Sequence, residues 1–180
     1  MKTTPILFSG PMVLAILDNR KTQTRRIVKP QPREYEGGTS FVCHGDAAWS
    51  AIGLDGDHQP IRFPYGNTGD RLWVRETFNL CGFKPFYRAD GPMHKDWKWK
   101  SPIFMPRAAS RITLEIISVR VEKLGSITPA DAVAEGMAID DAVHDYAVLW
   151  DKINGAGSWE ANPFIWRIEF KKVPNHENTH

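Results

Sequence analysis

The stretch PMVLAILDNRKTQTRRIV, residues 11–28, decides how the chain is read. Its first half is apolar and opens on Pro11, whose missing N–H is harmless in the first turn of a helix. Met12, Leu14, Ala15, Ile16 and Leu17 therefore predict a short, mostly buried helix over 11–19. Residues 22–28 are β-branched and partly alternating, which predicts a strand. Lys21 falls in the turn between them. Upstream, TPILF (4–8) reads as a short buried strand, so the chain starts strand, helix, strand.

Beyond residue 28 the pattern loosens. Residues 29–69 are rich in Pro and Gly, and such a length without structure is rare inside a compact domain. An insertion with small strands of its own, near 41–44 and 61–63, is expected. Residues 70–78 (DRLWVRETF) predict a strong strand, and 79–110 a second irregular insertion carrying Trp97 and Trp99. In 111–123, Ile112, Leu114 and Ile116 take one face, whereas Ile117, Val119 and Val121 take the other. A bulge near Ile116–Ile117 is implied. Thr128 to Asp131 (TPAD) is a capping-box variant opening a helix that ends near Gly136. A second helix over 141–154 places Val143, Ala147, Trp150 and Ile153 on one face. FIWRIEFKKV (164–173) is a final strand, and residues 174–180 read as a disordered tail.

Strands outnumber helices and there is no regular βαβ alternation and no internal repeat. That order predicts the α+β class, as a small mixed β-barrel or curled sheet with flanking helices. Neither insertion has the periodic apolar residues for a core of its own. One domain over 1–173 is expected, with 29–69 and 79–110 covering a cleft.

Composition narrows the partners. Two cysteines among 180 residues, Cys43 and Cys81, do not make a disulfide framework, and reduced thiols in the cytosol are expected. The apolar start is broken by Pro5, Gly10 and Pro11, and no run approaches the ~20 apolar residues of a membrane helix. A cytoplasmic protein without membrane contact is the expectation. The net charge is +2, but residues 1–33 hold seven basic residues and one acid, a local +6 that leaves −4 elsewhere. This fits an anionic partner such as phosphate or RNA, or else a solvated strand edge that resists aggregation.

Three groups can carry chemistry. Arg20, Lys21, Arg25 and Arg26 crowd one stretch, which eases loss of the Lys21 proton and makes it a candidate general base. Thr24 is a candidate nucleophile if the turn brings both side chains to one side; otherwise these are a surface lysine and an ordinary strand threonine. Arg75 and Glu76 end the 70–78 strand and either line a pocket or form a salt bridge. Glu135 sits near a helix C-terminus, where a carboxylate is unfavourable, so solvent or a cation such as Lys21 must offset it. No metal or cofactor is expected: Cys43, His44, His58, Cys81 and His94 match no strong zinc spacing. There is no phosphate-binding Gly loop and no serine elbow. Trp73 reads as core, whereas Trp97 and Trp99, flanked by Lys95, Lys98 and Lys100, are candidates for stacking on bases.

Taken together, ILF (6–8), the helix with RKTQTRR (20–26), GDRLWVRE (69–76), ITPADAVAEG (127–136) and WRIEF (166–170) resemble the ASCH family of the PUA-like superfamily. The resemblance spans residues 6–172, with both insertions outside the minimal pattern. It is nearest to longer ASCH proteins of phage and prophage regions, which share MPRAASR (105–111). It implies a PUA-like barrel with flanking helices and a cleft. Small bacterial members hydrolyse the amide of N4-acetylcytidine and related N4-acylcytosines with a Lys, a Thr and a Glu. Their G-R-K-T-x-T motif falls on Lys21 and Thr24, with Asn19 in place of its Gly, and their helix Glu falls on Glu135. The implied substrate is a nucleoside or nucleobase, with no protein partner. Phe8, Arg25, Arg26, Trp73, Arg75 and Glu76 are the candidate substrate contacts. Lys21 can be the base with Glu135 orienting it, or Glu135 the base with Lys21 stabilising an oxyanion. RNA binding without catalysis, or ribonuclease action, from the same cleft is the alternative the family offers.

Overall fold

The computed structural model describes residues 1–45, 47–82, 84–91 and 97–174. The tail expectation for 175–180, and the parts played by His94 and Lys95, lie outside them. The chain opens as β1 (Thr3–Leu7), α1 (Gly10–Leu17) and β2 (Gln23–Ile27). The first insertion folds as a three-stranded antiparallel sheet of β3 (Ser40–Gly45), β4 (Ala48–Ile52) and β5 (His58–Arg62). Next come β6 (Arg71–Arg75), the hairpin of β7 (Phe78–Cys81) and β8 (Lys84–Tyr87), and the long β9 (Thr113–Lys123). Then follow α2 (Pro129–Ala134), α3 (Ala142–Asn154) and β10 (Phe164–Val173).

The class is α+β, built on a five-stranded sheet in the order β1-β6-β9-β10-β2. The β1–β6 pair is parallel and the other three pairs are antiparallel. The sheet curls so that its ends approach: Arg26, on edge strand β2, donates from Nη2 to the Leu7 carbonyl on β1 at 2.8 Å. The implied bulge is at Ile117, since Glu169 pairs with Ser118 and the next residue, Phe170, with Ile116. The skipped residue turns outward, 41 % exposed. Its consequence differs from strict alternation: past the bulge the strand is rephased, so Val119 and Val121 return to the same core as Leu114 and Ile116.

Two expectations shift in detail, and two features are added to the sequence reading. The strand expected over 70–78 stops at Arg75, and Phe78 begins a hairpin instead. Strand β4 has no counterpart in the sequence reading. The first insertion, read as having no core of its own, packs on the main sheet: Trp49 and Phe63 meet Trp166 at 5.5 and 5.0 Å, and Phe41 meets Phe164 at 5.1 Å. On α3 the buried face is Ala142, Tyr146 and Trp150, whereas Ile153 is exposed. The apolar spacing was satisfied by either stripe, and Tyr146 wins because its ring packs on Trp150 and Trp159.

Candidate active site

Two helix ends build the site. Helix α1 closes in a Schellman motif: Asn19 N–H donates to Ile16 O, and Arg20 N–H to Ala15 O. Asn19 takes the left-handed conformation this needs, at φ 59°. Asn tolerates that region far better than most residues, so Asn19 does the work of a glycine here. Helix α2 is opened by the reciprocal Thr128–Asp131 capping box. It closes in a second Schellman motif, with Gly136 N–H on Val133 O and Met137 N–H on Ala132 O. Gly136 has φ 98°, and a Cβ there would lie 3.1 Å from the Ala15 Cβ and 3.5 Å from the Lys21 Cβ. Only glycine lets the two helix ends come this close. The Thr22 N–H donates to Ala134 O at 2.9 Å, fixing the end of α2 against the chain entering edge strand β2.

That juxtaposition brings Lys21 to Glu135, the C-cap residue of α2, across 114 positions of sequence. Lys21 Nζ donates to Glu135 Oε2 at 2.6 Å and to the Glu135 carbonyl at 2.8 Å. The side chains are 0 % and 2 % exposed. The cation offsets both the carboxylate and the negative end of the helix. Arg25 Nη1 reaches the other carboxylate oxygen at 3.2 Å, so Glu135 is bracketed by two cations. Arg25 is held in turn by Gln23 (2.6 Å), Glu122 (3.1 Å) and Asp131 (3.4 Å). Arg167 joins the network through Asp131 and Glu169. Burial pushes the Lys21 pKa below the ordinary lysine value, with Arg26 and Arg25 adding to the effect and Glu135 opposing it. Tyr146, packed beside Glu135, has its phenol pushed well above the usual range by burial, to which the Glu135 charge adds.

Thr24 is fully buried on β2, and its Oγ1 accepts from Arg26 Nη1 at 2.9 Å. Phe8 gathers the group: Lys21 Nζ and the Arg26 guanidinium lie 5.7 and 5.2 Å from its ring centroid. A cavity of about 470 Å³ opens here. Phe8, Arg25, Arg26, Glu135, Tyr146 and Trp150 are among its lining residues. Lys21 and Thr24 sit behind that lining rather than in it. An aromatic wall with a few convergent charged groups is the usual character of a small-molecule site.

The structure does not bring Trp73, Arg75 and Glu76 to this cavity. Trp73 lies under the guanidinium of Arg75 (4.5 Å) and near that of Arg107 (5.8 Å). Glu76 is buried against Arg111, at 2.8 and 3.0 Å, with Arg111 also on Asp90. Burial raises the Glu76 pKa, with Arg111 opposing. A salt bridge was one of the two readings open for the charged end of this strand, and Glu76 makes one, with Arg111 rather than Arg75. Conversely, Tyr146 and Trp150 line the cavity, and Trp150 was read only as a packing residue. The signal available was the aromatic stripe of α3 following the Glu135 helix.

Trp97 packs edge-on against Phe86 at 4.6 Å and Trp99 at 6.0 Å, in a cluster of the second insertion. Among the described residues, no group of three or more His, Cys, Asp or Glu side chains is placed to hold a metal ion. His44 is paired with Ser50 at 2.9 Å, and both cysteines are exposed. Among the described residues no helix is long and apolar enough to cross a membrane.

No protein-family model matches the chain, and no curated protein matches it either. Among solved structures it is similar to a DUF984 protein from Enterococcus faecalis, with 9 % identity, a TM-score of 0.47, and coverage of 100 % of this chain and 86 % of that one. It is similar also to an ASCH domain from Lactobacillus crispatus, with 11 % identity, a TM-score of 0.49, and coverage of 95 % of this chain and 79 % of that one.

Proposed function

We propose that the chain is an amidohydrolase that removes the acyl group from N4-acylated cytosine nucleosides or bases, such as N4-acetylcytidine. The observation that carries this reading is the buried Lys21–Glu135 pair, 2.6 Å apart behind an aromatic-walled cavity of about 470 Å³. A buried lysine with a lowered pKa beside a carboxylate is uncommon as packing and useful as acid–base machinery. The residues also fall where the ASCH-like motif carries its Lys, Thr and Glu.

In this reading Lys21 acts as the neutral amine. Its two N–H bonds go to the Glu135 carbonyl and carboxylate, so its lone pair is free, and the Thr24 hydroxyl, held by Arg26 here, must turn to Lys21 to give up its proton. The Thr24 oxygen attacks the acyl carbonyl, and Arg26, released from Thr24 Oγ1 as the substrate enters, supplies positive charge beside the oxyanion that develops on the acyl oxygen. The amide C–N bond breaks, and the proton passes through the Lys21–Glu135 pair to the leaving exocyclic amine. Water then hydrolyses the Thr24 ester. Because Thr24 is fully buried, the Arg26 guanidinium must swing aside for the acyl group to reach it.

A second version has Glu135 activating water, with Lys21 as the positive charge. It is favoured by Glu135 lining the cavity while Thr24 does not. Incubation with N4-acetylcytidine tests the function, with free cytidine as the product. Lys21→Arg separates the versions. Arginine stays protonated at neutral pH, so it abolishes turnover if Lys21 is the base and leaves part of it if only the charge matters. Absence of cytidine from the unmodified protein would end the proposal.

A further inference from the structure

The Glu135 pocket does not end at Ser9 and Thr77. A second cavity, of about 440 Å³, shares both residues with it and continues past them to Glu76, Arg88 and Ala89. The step between the two is short. The Phe8 N–H donates to Arg75 O at 3.1 Å, so the chain at Phe8 and the chain entering Glu76 run one strand spacing apart, roughly 4.8 Å. Phe8 is also the ring beside which Lys21 Nζ and the Arg26 guanidinium lie. A ligand that stacks on Phe8 therefore has Glu76 within reach of its other end.

Glu76 is held as an oriented acceptor. Arg111 Nε donates to its Oε1 at 2.8 Å and Arg111 Nη2 to its Oε2 at 3.0 Å. Arg111 is fixed in turn by Asp90 at 2.8 Å and lies 3.9 Å from the Tyr87 ring centroid. The bidentate pair orients the carboxylate but occupies only about two of its roughly four acceptor sites. The Glu76 side chain is 2 % exposed, so water competes little for the others. Ser9 and Thr77 add hydroxyls where the cavities join, and the Ser9 side chain makes no capping bond to α1. Charge is balanced here, with Glu76 and Asp90 set against Arg111 and the exposed Arg88. Such a cavity favours neither a cation nor an anion; it suits a neutral ligand with hydroxyl protons to donate. The other neighbour of the pocket differs. It opens at Arg26, Ile27 and Asn154 and brings Lys29 and Arg62, a cationic lining that favours an anion over a neutral sugar.

We infer that the Glu76 cavity is a sugar site, in which the carboxylate accepts hydrogen bonds from the cis 2′- and 3′-hydroxyls of a ribose whose base lies in the Glu135 pocket. The inference rests on the acylated-cytosine reading of that pocket and extends it: the substrate is a ribonucleoside, in preference to a deoxyribonucleoside or a free base. Glu76 is then a specificity-determining residue, and Arg111 positions it. The hydroxyls lie away from the reacting amide, so they are bound equally in the ground state and the transition state. Their loss therefore raises KM rather than lowering kcat.

The test compares N4-acetylcytidine with N4-acetyl-2′-deoxycytidine and with the arabinosyl isomer, whose 2′-hydroxyl points to the opposite face of the sugar. The parent should favour the ribonucleoside over both in kcat/KM by about tenfold to a hundredfold, the range for hydrogen bonds to a charged group, with the difference in KM. In Glu76→Gln the ratio should fall close to one. A ratio between substrates is blind to the folded fraction, so the stability lost with the Arg111 pair does not imitate this result. Glu76→Asp, which keeps a charge for Arg111 but shortens the reach by one methylene, is the second variant and should lower the ratio too. Lys29→Gln/Arg62→Gln, in the cationic cavity, should keep the parent's ratio. Equal kcat/KM for the ribo- and deoxyribonucleoside, a preference that survives both Glu76 variants, or one lost instead in Lys29→Gln/Arg62→Gln would each overturn the sugar site. Calorimetric binding of cytidine and 2′-deoxycytidine, which carry no acyl group to release, separates this inference from the reading it rests on. Cytidine bound in preference through Glu76, without release from N4-acetylcytidine, would sink the hydrolase reading and leave the sugar site standing. Release without a ribose preference would do the reverse, and neither release nor binding would end both.

Discussion

Replacing Glu135 by Gln strands the Lys21 ammonium. It keeps acceptors, the main-chain carbonyl and the new amide oxygen, but loses its counter-charge in a place with no solvent. Removing one side of a buried ion pair costs about 3–5 kcal/mol. Arg25 adds little to that loss, because it keeps Gln23, Glu122 and Asp131. Lys21→Met is the milder change, since Glu135 still has Arg25 at 3.2 Å. A cost of about 1–3 kcal/mol is expected there. The double variant should be less destabilised than the two singles added together, by about 1–3 kcal/mol. The pH dependence has a fixed sign. Burial holds the folded pKa of Lys21 below its unfolded value. Between the two values the unfolded chain carries more protons, so stability rises with pH across that window. Glu135 opposes the shift, so Glu135→Gln lowers the folded pKa further and extends the window downward. Urea unfolding of all four proteins at about pH 6 and about pH 9 measures this. Glu135→Gln should be the least stable single variant, with its deficit narrowing at the higher pH. A Lys21→Met cost equal to that of Glu135→Gln, or strict additivity, would refute the reasoning.

Gly136→Ala should destabilise by more than ~1 kcal/mol, because alanine is strained at φ 98° and its methyl meets the Ala15 methyl at 3.1 Å; thermal unfolding reads the stability and cytidine release reads the accompanying loss of activity. Thr128→Ala removes the α2 cap and should cost about 1 kcal/mol, lowering Tm while leaving the denaturant slope unchanged. The rate of acyl release should climb with pH and level off below the ordinary lysine range, because the active form of Lys21 is the neutral one and burial lowers its pKa; a rate that falls over the same range would contradict Lys21 as base.

Much of this was legible before any coordinates. The helix–turn–strand of residues 11–28, the Thr128 capping box, the bulge in 111–123 and the final strand all rest on local chemistry, and each has its counterpart in the fold. The meeting of Lys21 and Glu135 was expected from the ASCH-like motif together with the awkward place of a carboxylate at a helix end, which by itself left solvent or a cation open. What could not be read is how the two helix ends touch, since the closeness at Gly136 depends on Ala15 from a distant element. The fate of Glu76 was equally hidden. Its partner Arg111 is 35 residues away, and nothing local distinguishes a pocket carboxylate from a paired one. The expected stripe on α3 holds in part: Trp150 is buried and Val143 packs against the same core, whereas Ile153 is exposed; Ala142 and Tyr146 fit the helical period equally well, and Tyr146 is fixed inward by its packing against Trp150 and Trp159.

The claim at the centre is that Thr24 and the Lys21–Glu135 pair act together on an acylated cytosine. The most direct measurement is chromatographic release of cytidine from N4-acetylcytidine by the parent chain and by Thr24→Val, a substitution close in shape at a buried strand position. The account predicts release by the parent and none by the variant, with the variant's unfolding curve close to the parent's. Substantial release by Thr24→Val, or none by the parent, would contradict it.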